Sequence, residues 1–130
     1  MMKLFQAVMN GCRERFGDAQ VQQIAEGQME IAIVNDAGEA MFPVYIGCHS
    51  DTDLELSAIL FQVPEADVKA FMAQCNTMNT QYPMIKFYME ENYLCAGMDL
   101  LLYTYEADDV MSMLTALLQV IAQNLPALLG

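Results

Sequence analysis

Positive charge is what this sequence has least of. Lys and Arg together number 5 against 17 Asp and Glu, a formal net charge of -12 over 130 residues. Three of the five (Lys3, Arg13, Arg15) precede residue 17, which leaves Lys69 and Lys86 for everything after. Two isolated lysines build no basic patch, so neither nucleic acid nor an anionic membrane is an expected partner. Histidine is scarcer still, with His49 alone. Base-assisted nucleophilic catalysis would need it beside a Cys, Ser or Thr, and its neighbour Cys48 points to the opposite face of an extended strand.

The four cysteines (Cys12, Cys48, Cys75, Cys95) are widely spaced and include no Cys-x-x-Cys pair. They spell neither a disulfide framework nor a zinc site, and buried thiols in a reducing cytosol are the expectation. Cys48, His49, Asp51, Asp53 and Glu55 are metal ligands by type, but a calcium loop opening at Asp51 would need glycine and glutamate where Leu56 and Gln62 stand. The glycines form no phosphate-cradling pattern, and the apolar stretch from Leu4 to Met9 is too short for a signal-peptide core. No catalytic residue, cofactor or metal is therefore expected, and cytoplasmic residence is the default.

What the chain does have is apolar surface. It is 55% hydrophobic and 17% charged, which supports one folded domain over residues 1–130 without a linker. Phe5, Val8, Met9, Cys12 and Phe16 recur at helical spacing, Arg13 and Arg15 suit the end of that helix, and Gly17 stops it. Three strands are predicted next. The first alternates Met29, Ile31 and Ile33; the turn Asn35–Gly38 leads to the second, with Phe42, Val44 and Ile46 on one face. Pro43 lacks an amide hydrogen, which places the second strand at a sheet edge or at a bulge. The third sets Leu54, Leu56, Ala58 and Leu60 against Ile59, Phe61 and Val63. Pro64, Glu65 and Asp67 open a helix whose stripe is Val68, Phe71, Met72, Cys75 and Met78. Two more strands, around Ile85–Met89 and Leu94–Leu102, flank Glu91-Asn92 as a hairpin, and Glu106, Asp108 and Asp109 open a last helix.

The expected fold is α+β, a five-stranded antiparallel sheet packed with helices in the order α-β-β-β-α-β-β-α. Two features of its second half bear on function. No charge occurs from Val110 to Gly130, although Gln119, Gln123, Asn124 and Pro126 break the run and no positive residue flanks it, so a membrane span is not expected. Val110, Leu114, Leu117, Leu118 and Ile121 form a core-facing stripe, while Met111, Met113, Val120 and Leu125 widen the apolar arc beyond one face. That width fits either core packing or a subunit contact. Methionine, at 12 residues, is unusually abundant, and its adaptable thioether suits irregular partners as well as core gaps. Asp99 sits in an apolar run, either facing solvent or buried against a helix end.

Residues 64–128 also carry a recognisable pattern: a helix closing in CNTMNTQYP, the strand KFYMEEN, then LCAGMDLLL and an acid-capped apolar helix, with Asn76, Asn79, Phe87, Asp99 and Leu100 as its fixed points. It resembles the YbjN-like family, named as bacterial sensory transduction regulators, whose fold is that of the class I type III secretion chaperones. The resemblance implies a homodimer that binds an extended segment of a client protein. It transfers no functional residue. The expected function is non-catalytic protein binding through apolar surface, with Met84, Met111, Met113, Leu117, Val120 and Leu125 as the partner or dimer residues. The self-contact would use the 68–78 helix with the 84–90 strand, or the closing helix, and a partner could add to the edge of the Pro43 strand. The competing expectation is a small-molecule sensor with a pocket between sheet and helices.

Overall fold

The computed structural model describes residues 2–50, 53–101 and 106–129. Helix α1 (Met2–Phe16) is followed by strands β1 (Val21–Ala25), β2 (Gln28–Val34), β3 (Ala40–Ser50) and β4 (Asp53–Gln62), helix α2 (Val68–Asn79), strands β5 (Lys86–Glu90) and β6 (Tyr93–Leu101), and helix α3 (Ala107–Leu129). Every strand pairing is antiparallel, in the order β1-β2-β3-β4-β6-β5. Asp51 of the ligand-type cluster and Leu102 of the last predicted strand lie outside the described residues.

The sheet has six strands, not five. The additional strand is β1, whose sequence VQQIA buries Val21 and exposes the other four residues. An edge strand covered at one position shows no two-residue alternation. Its one local signal is the Glu26-Gly27 dipeptide linking it to β2, where Gly27 takes φ 70°.

Of the two places expected for the Pro43 strand, the sheet edge is corrected, since β3 lies inside the sheet between β2 and β4, while the ladder to β2 does shift register close by, between Ala40 and Phe42. Pro43 pairs with Ala32 of β2, whereas the ladder to β4 begins one residue later at Val44 and Ala58. Proline is tolerated there because only one flanking strand remains at its position. A second correction concerns β4. A bulge between Ile59 and Phe61 sets Phe61 opposite the buried Leu94, so Phe61 no longer shares the face of Ile59 and stacks edge-on against Phe71 of α2 at 5.7 Å.

The two faces follow from the register. Met29, Ile46, Leu56 and Met98 are successive neighbours across β2, β3, β4 and β6, and all are buried. Against this face pack Phe5, Val8, Met9 and Cys12 of α1 and Val110, Leu114, Leu117, Ile121 and Leu128 of α3, forming one apolar core. Helix α3 is long and apolar enough to cross a membrane by length and composition; five of its side chains are buried in the protein, and most of its apolar window is not. No polar or charged side chain among the described residues is fully buried.

Local chemistry sets the helix ends. The Gly17 amide, at φ 97°, donates to the Arg13 carbonyl at 2.9 Å and closes α1. The Glu106 amide donates to Asp109 Oδ2 at 3.0 Å, which opens α3 as a reciprocal cap. Helix α1 crosses α3 where Gly11 leaves room for Met111: a Cβ there would stand 3.3 Å from the Met111 sulfur. Met111 Sδ also lies 3.8 Å from Cys12 Sγ, and Arg15 donates to the Thr115 hydroxyl.

Candidate functional site

Chemical reactivity is damped wherever the sequence offered it. Cys48 is buried on the helix-covered face, while the His49 side chain is 42% exposed on the other, with Nε2 3.6 Å from Glu55 Oε2. Burial pushes the Cys12 thiol up to about 11, with Arg15 opposing, and pushes Cys95 up to about 11, with Glu90 adding to the effect. Cys48 and Cys75 are raised by burial as well. Protonated, enclosed thiols are poor nucleophiles and poor metal ligands.

Two surfaces remain. The first is helical. No charged residue stands between Lys69 and Lys86, nor after Asp109, so most of α2 and nearly all of α3 present uncharged side chains in a chain of net charge -12. The two helices meet at a groove of about 320 Å³ lined by Ala73, Gln74, Thr77, Met78, Asn124, Ala127 and Leu128. Asn124 ties its floor together, donating to the Tyr82 hydroxyl at 3.1 Å and to the Val120 carbonyl at 2.8 Å. Met72 and Leu129 are exposed on these helices, at 50% and 65%. Depletion of charge around exposed apolar side chains is the compositional mark of an interface centre.

The second surface is the sheet face that no helix covers. Across it runs the row Glu30, Tyr45, Ser57, Gly97, Lys86, and beside it the row Gln28, Gly47, Glu55, Asp99. A depression of about 560 Å³ is lined by Glu55, Ser57, Pro83, Met84, Lys86, Tyr88, Gly97 and Asp99, and a smaller one of about 130 Å³ by Ile24, Gln28, Tyr45, Gly47, His49, Glu55 and Ser57. Both are lined by Glu55 and Ser57, so the two adjoin at β4 as a trough in two parts, whose combined lining draws on all six strands. Gly97 is required by packing: a Cβ there would come within 2.7 Å of the Leu56 carbonyl oxygen. Tyr88 is pushed up to about 12 by burial, then by the negative charge of Cys95, Glu90, Glu55 and Asp99, so its hydroxyl keeps its proton. Tyr45 is raised by burial and by its cross-strand neighbour Glu30. Asp99 is solvent-facing, one of the two alternatives its sequence left open.

The sheet edges differ too. The Asn79 side chain accepts from the Phe87 amide at 2.7 Å and donates to the Phe87 carbonyl at 2.9 Å, taking the place of a neighbouring strand on the free edge of β5. On β1 the Gln23 side chain donates to the Ala25 carbonyl at 3.2 Å, and among the described residues no side chain clamps both the amide and the carbonyl of one of its residues.

The structure scatters the six residues expected at the interface. Met84 is 57% exposed at the rim of the trough. Met111 is half-buried in the seam with α1, and Met113, Val120 and Leu125 are half-buried against the core. Leu117 is fully enclosed, which assigns it to the core. Met72, placed by its spacing in the buried stripe of its helix, is instead exposed, and so is Leu129, which no sequence pattern marks.

Residues 13–130 match the family model YbjN, described as "Putative bacterial sensory transduction regulator". The chain belongs to the YbjN family. No curated protein matches it. Among solved structures, it is similar to a chain of the HopA1–SchA chaperone–effector complex, with TM-score 0.60 and 12% identity over 95% of this chain and 94% of that one. It is similar to a chain of the ExsC–ExsE complex, with TM-score 0.61 and 16% identity over 91% and 87%. The structure of the Yersinia pestis type III secretion chaperone SycH with a stable fragment of YscM2 matches at TM-score 0.54 and 11% identity, over 91% and 98%. At these identities the likeness shows a shared fold.

Proposed function

We propose that the chain is a non-catalytic, chaperone-like protein-binding domain of the cytoplasm that works as a homodimer, its self-contact made by the uncharged surface of α2 and α3. The observation that carries the reading is exposed Met72 and Leu129 on two helices that carry no charge beyond their first turns, in a strongly acidic chain. Elsewhere like charge holds two copies apart, so association is cheapest where charge is missing. Met113, Val120 and Leu125, half-buried on α3, extend the apolar area that a second copy would cover. Client binding draws support from the fold shared with chains of a chaperone–effector complex. Sedimentation equilibrium tests it: twice the chain mass is expected, and Met72→Glu is expected to give the single-chain mass with an unchanged circular dichroism spectrum. A wild-type monomer at high concentration contradicts the reading.

A second reading, a small-molecule sensor, is favoured by the 560 Å³ depression, where Ser57, Lys86, Tyr88, Glu55 and Asp99 converge. Its site is the uncovered sheet face and not, as expected from sequence, the space between sheet and helices, whose buried side chains among the described residues are all apolar. A ligand retained in native mass measurements and lost on denaturation would establish it.

A further inference from the structure

We infer that the trough on the uncovered sheet face seats an extended segment of a partner protein, with a Lys or Arg over Glu55 and Asp99 and apolar side chains toward Ile24 and Met84. The inference rests on the protein-binding reading and deepens it by naming the chemistry of the segment.

Charge complementarity comes first. Strand alternation puts Glu30, Asp53, Glu55, Glu90 and Asp99 on this face, against Lys86 and His49. Glu55 and Asp99 are direct cross-strand neighbours. Like charges placed directly opposite each other repel and destabilise the pair. Among the described residues, Glu55 has His49 as an ion-pair partner at 3.6 Å and Asp99 has no ion pair. A guanidinium or ammonium between the two carboxylates relieves the repulsion and gains charge-assisted hydrogen bonds. Neutral Tyr88 and Tyr45, on either side of the Ser57–Gly97 floor, offer ring faces to the stem of the same side chain.

Length comes second. Ile24 and Met84 are 47% and 57% exposed and stand at opposite ends of the trough, on β1 and just before β5. Six strands at about 4.8 Å spacing set those ends roughly 24 Å apart, the reach of about seven extended residues. A second copy of this chain is a poor occupant, because its net charge of -12 would meet five carboxylates on this face.

Selection from a random heptapeptide phage library tests this on the intact protein. Wild type is expected to enrich peptides with a central Lys or Arg flanked by apolar residues. Their affinity is expected to fall roughly tenfold in the double variant Glu55→Gln, Asp99→Asn, and to fall with added salt. The charge-matched control Glu14→Gln, Glu65→Gln is expected to enrich the same peptides. A thermal midpoint of the double variant at or above wild type would show that it folds. Enrichment of peptides without a basic residue, or equal binding by the double variant, overturns the trough assignment and leaves protein binding standing. Failure to enrich any peptide overturns both. Arginine amide binding as tightly as the selected peptides would mark a site for small cations and overturn the extended-segment inference.

Discussion

The two faces of the sheet are made from alternate residues of the same strands, and they differ in almost every physical respect. Leu56 and its cross-strand neighbours Ile46 and Met98 are packed beneath α1 and α3, while Glu55, one residue earlier, faces a wet trough beside Asp99. The buried part of the covered face is apolar and determines whether the chain folds; the open face is free of that duty and can carry recognition. Because the side-chain period is two, a single-residue slip of β4 would exchange the two roles, so register is strongly selected by the core.

The sharpest test of the contrast uses adjacent residues. Leu56→Ala removes fully buried volume and is expected to cost about 3 kcal/mol in urea unfolding. Glu55→Gln is expected to stay within about 0.5 kcal/mol of wild type. Comparable losses at both positions would break the division of labour between the faces.

Asn79→Ala is the next largest change, at about 1–3 kcal/mol, since it strands the Phe87 amide and carbonyl that the side chain holds at 2.7 and 2.9 Å. Faster hydrogen exchange at the Phe87 amide, together with concentration-dependent aggregation from the unsealed β5 edge, is the expected signature. Unchanged exchange would mean that the edge is sealed by something else.

Alkaline titration compares the two faces again, through Cys12 among the helices and Cys95 opposite Tyr88. Burial lifts both thiols from 9.0 to about 11, so the folded state disfavours ionisation. Below pH 9 the thiol is neutral whether folded or unfolded, and its contribution to stability is whole. Above pH 9 the unfolded chain ionises first, and that contribution is lost as pH climbs through about 11. The urea midpoint is expected to fall between pH 9 and 11, and less steeply in Cys12→Ala and in Cys95→Ala. A midpoint flat across that window would contradict burial as the cause.

Sequence pattern disclosed the elements whose burial is periodic. Helix α1 and its Gly17 stop, the Glu91-Asn92 hairpin and the acid-capped start of α3 all stand where spacing and capping residues put them. Strand β1 was hidden because an edge strand with one buried residue has no period to read. Pro43 misled because proline's missing donor excludes a second ladder at one position, not along the whole of β3. Phe61 was turned over by a bulge, which local composition does not encode. The trough was illegible for a different reason: Glu55, Asp99 and Lys86 come from three strands, and only their register makes them neighbours. Asn79 and Phe87, noticed as fixed points of a family pattern, turn out to be the two ends of one backbone clamp. Met72 was misassigned because α2 lies beside β5 and buries only Cys75 and Met78.

The association claim is met most directly by sedimentation equilibrium of wild type and Met72→Glu at matched concentration. Twice the chain mass for the first and the single-chain mass for the second, with equal urea midpoints, is the expected result. A wild-type chain that sediments alone, or a dimer indifferent to a glutamate at position 72, would contradict the assignment of self-contact to the uncharged helices.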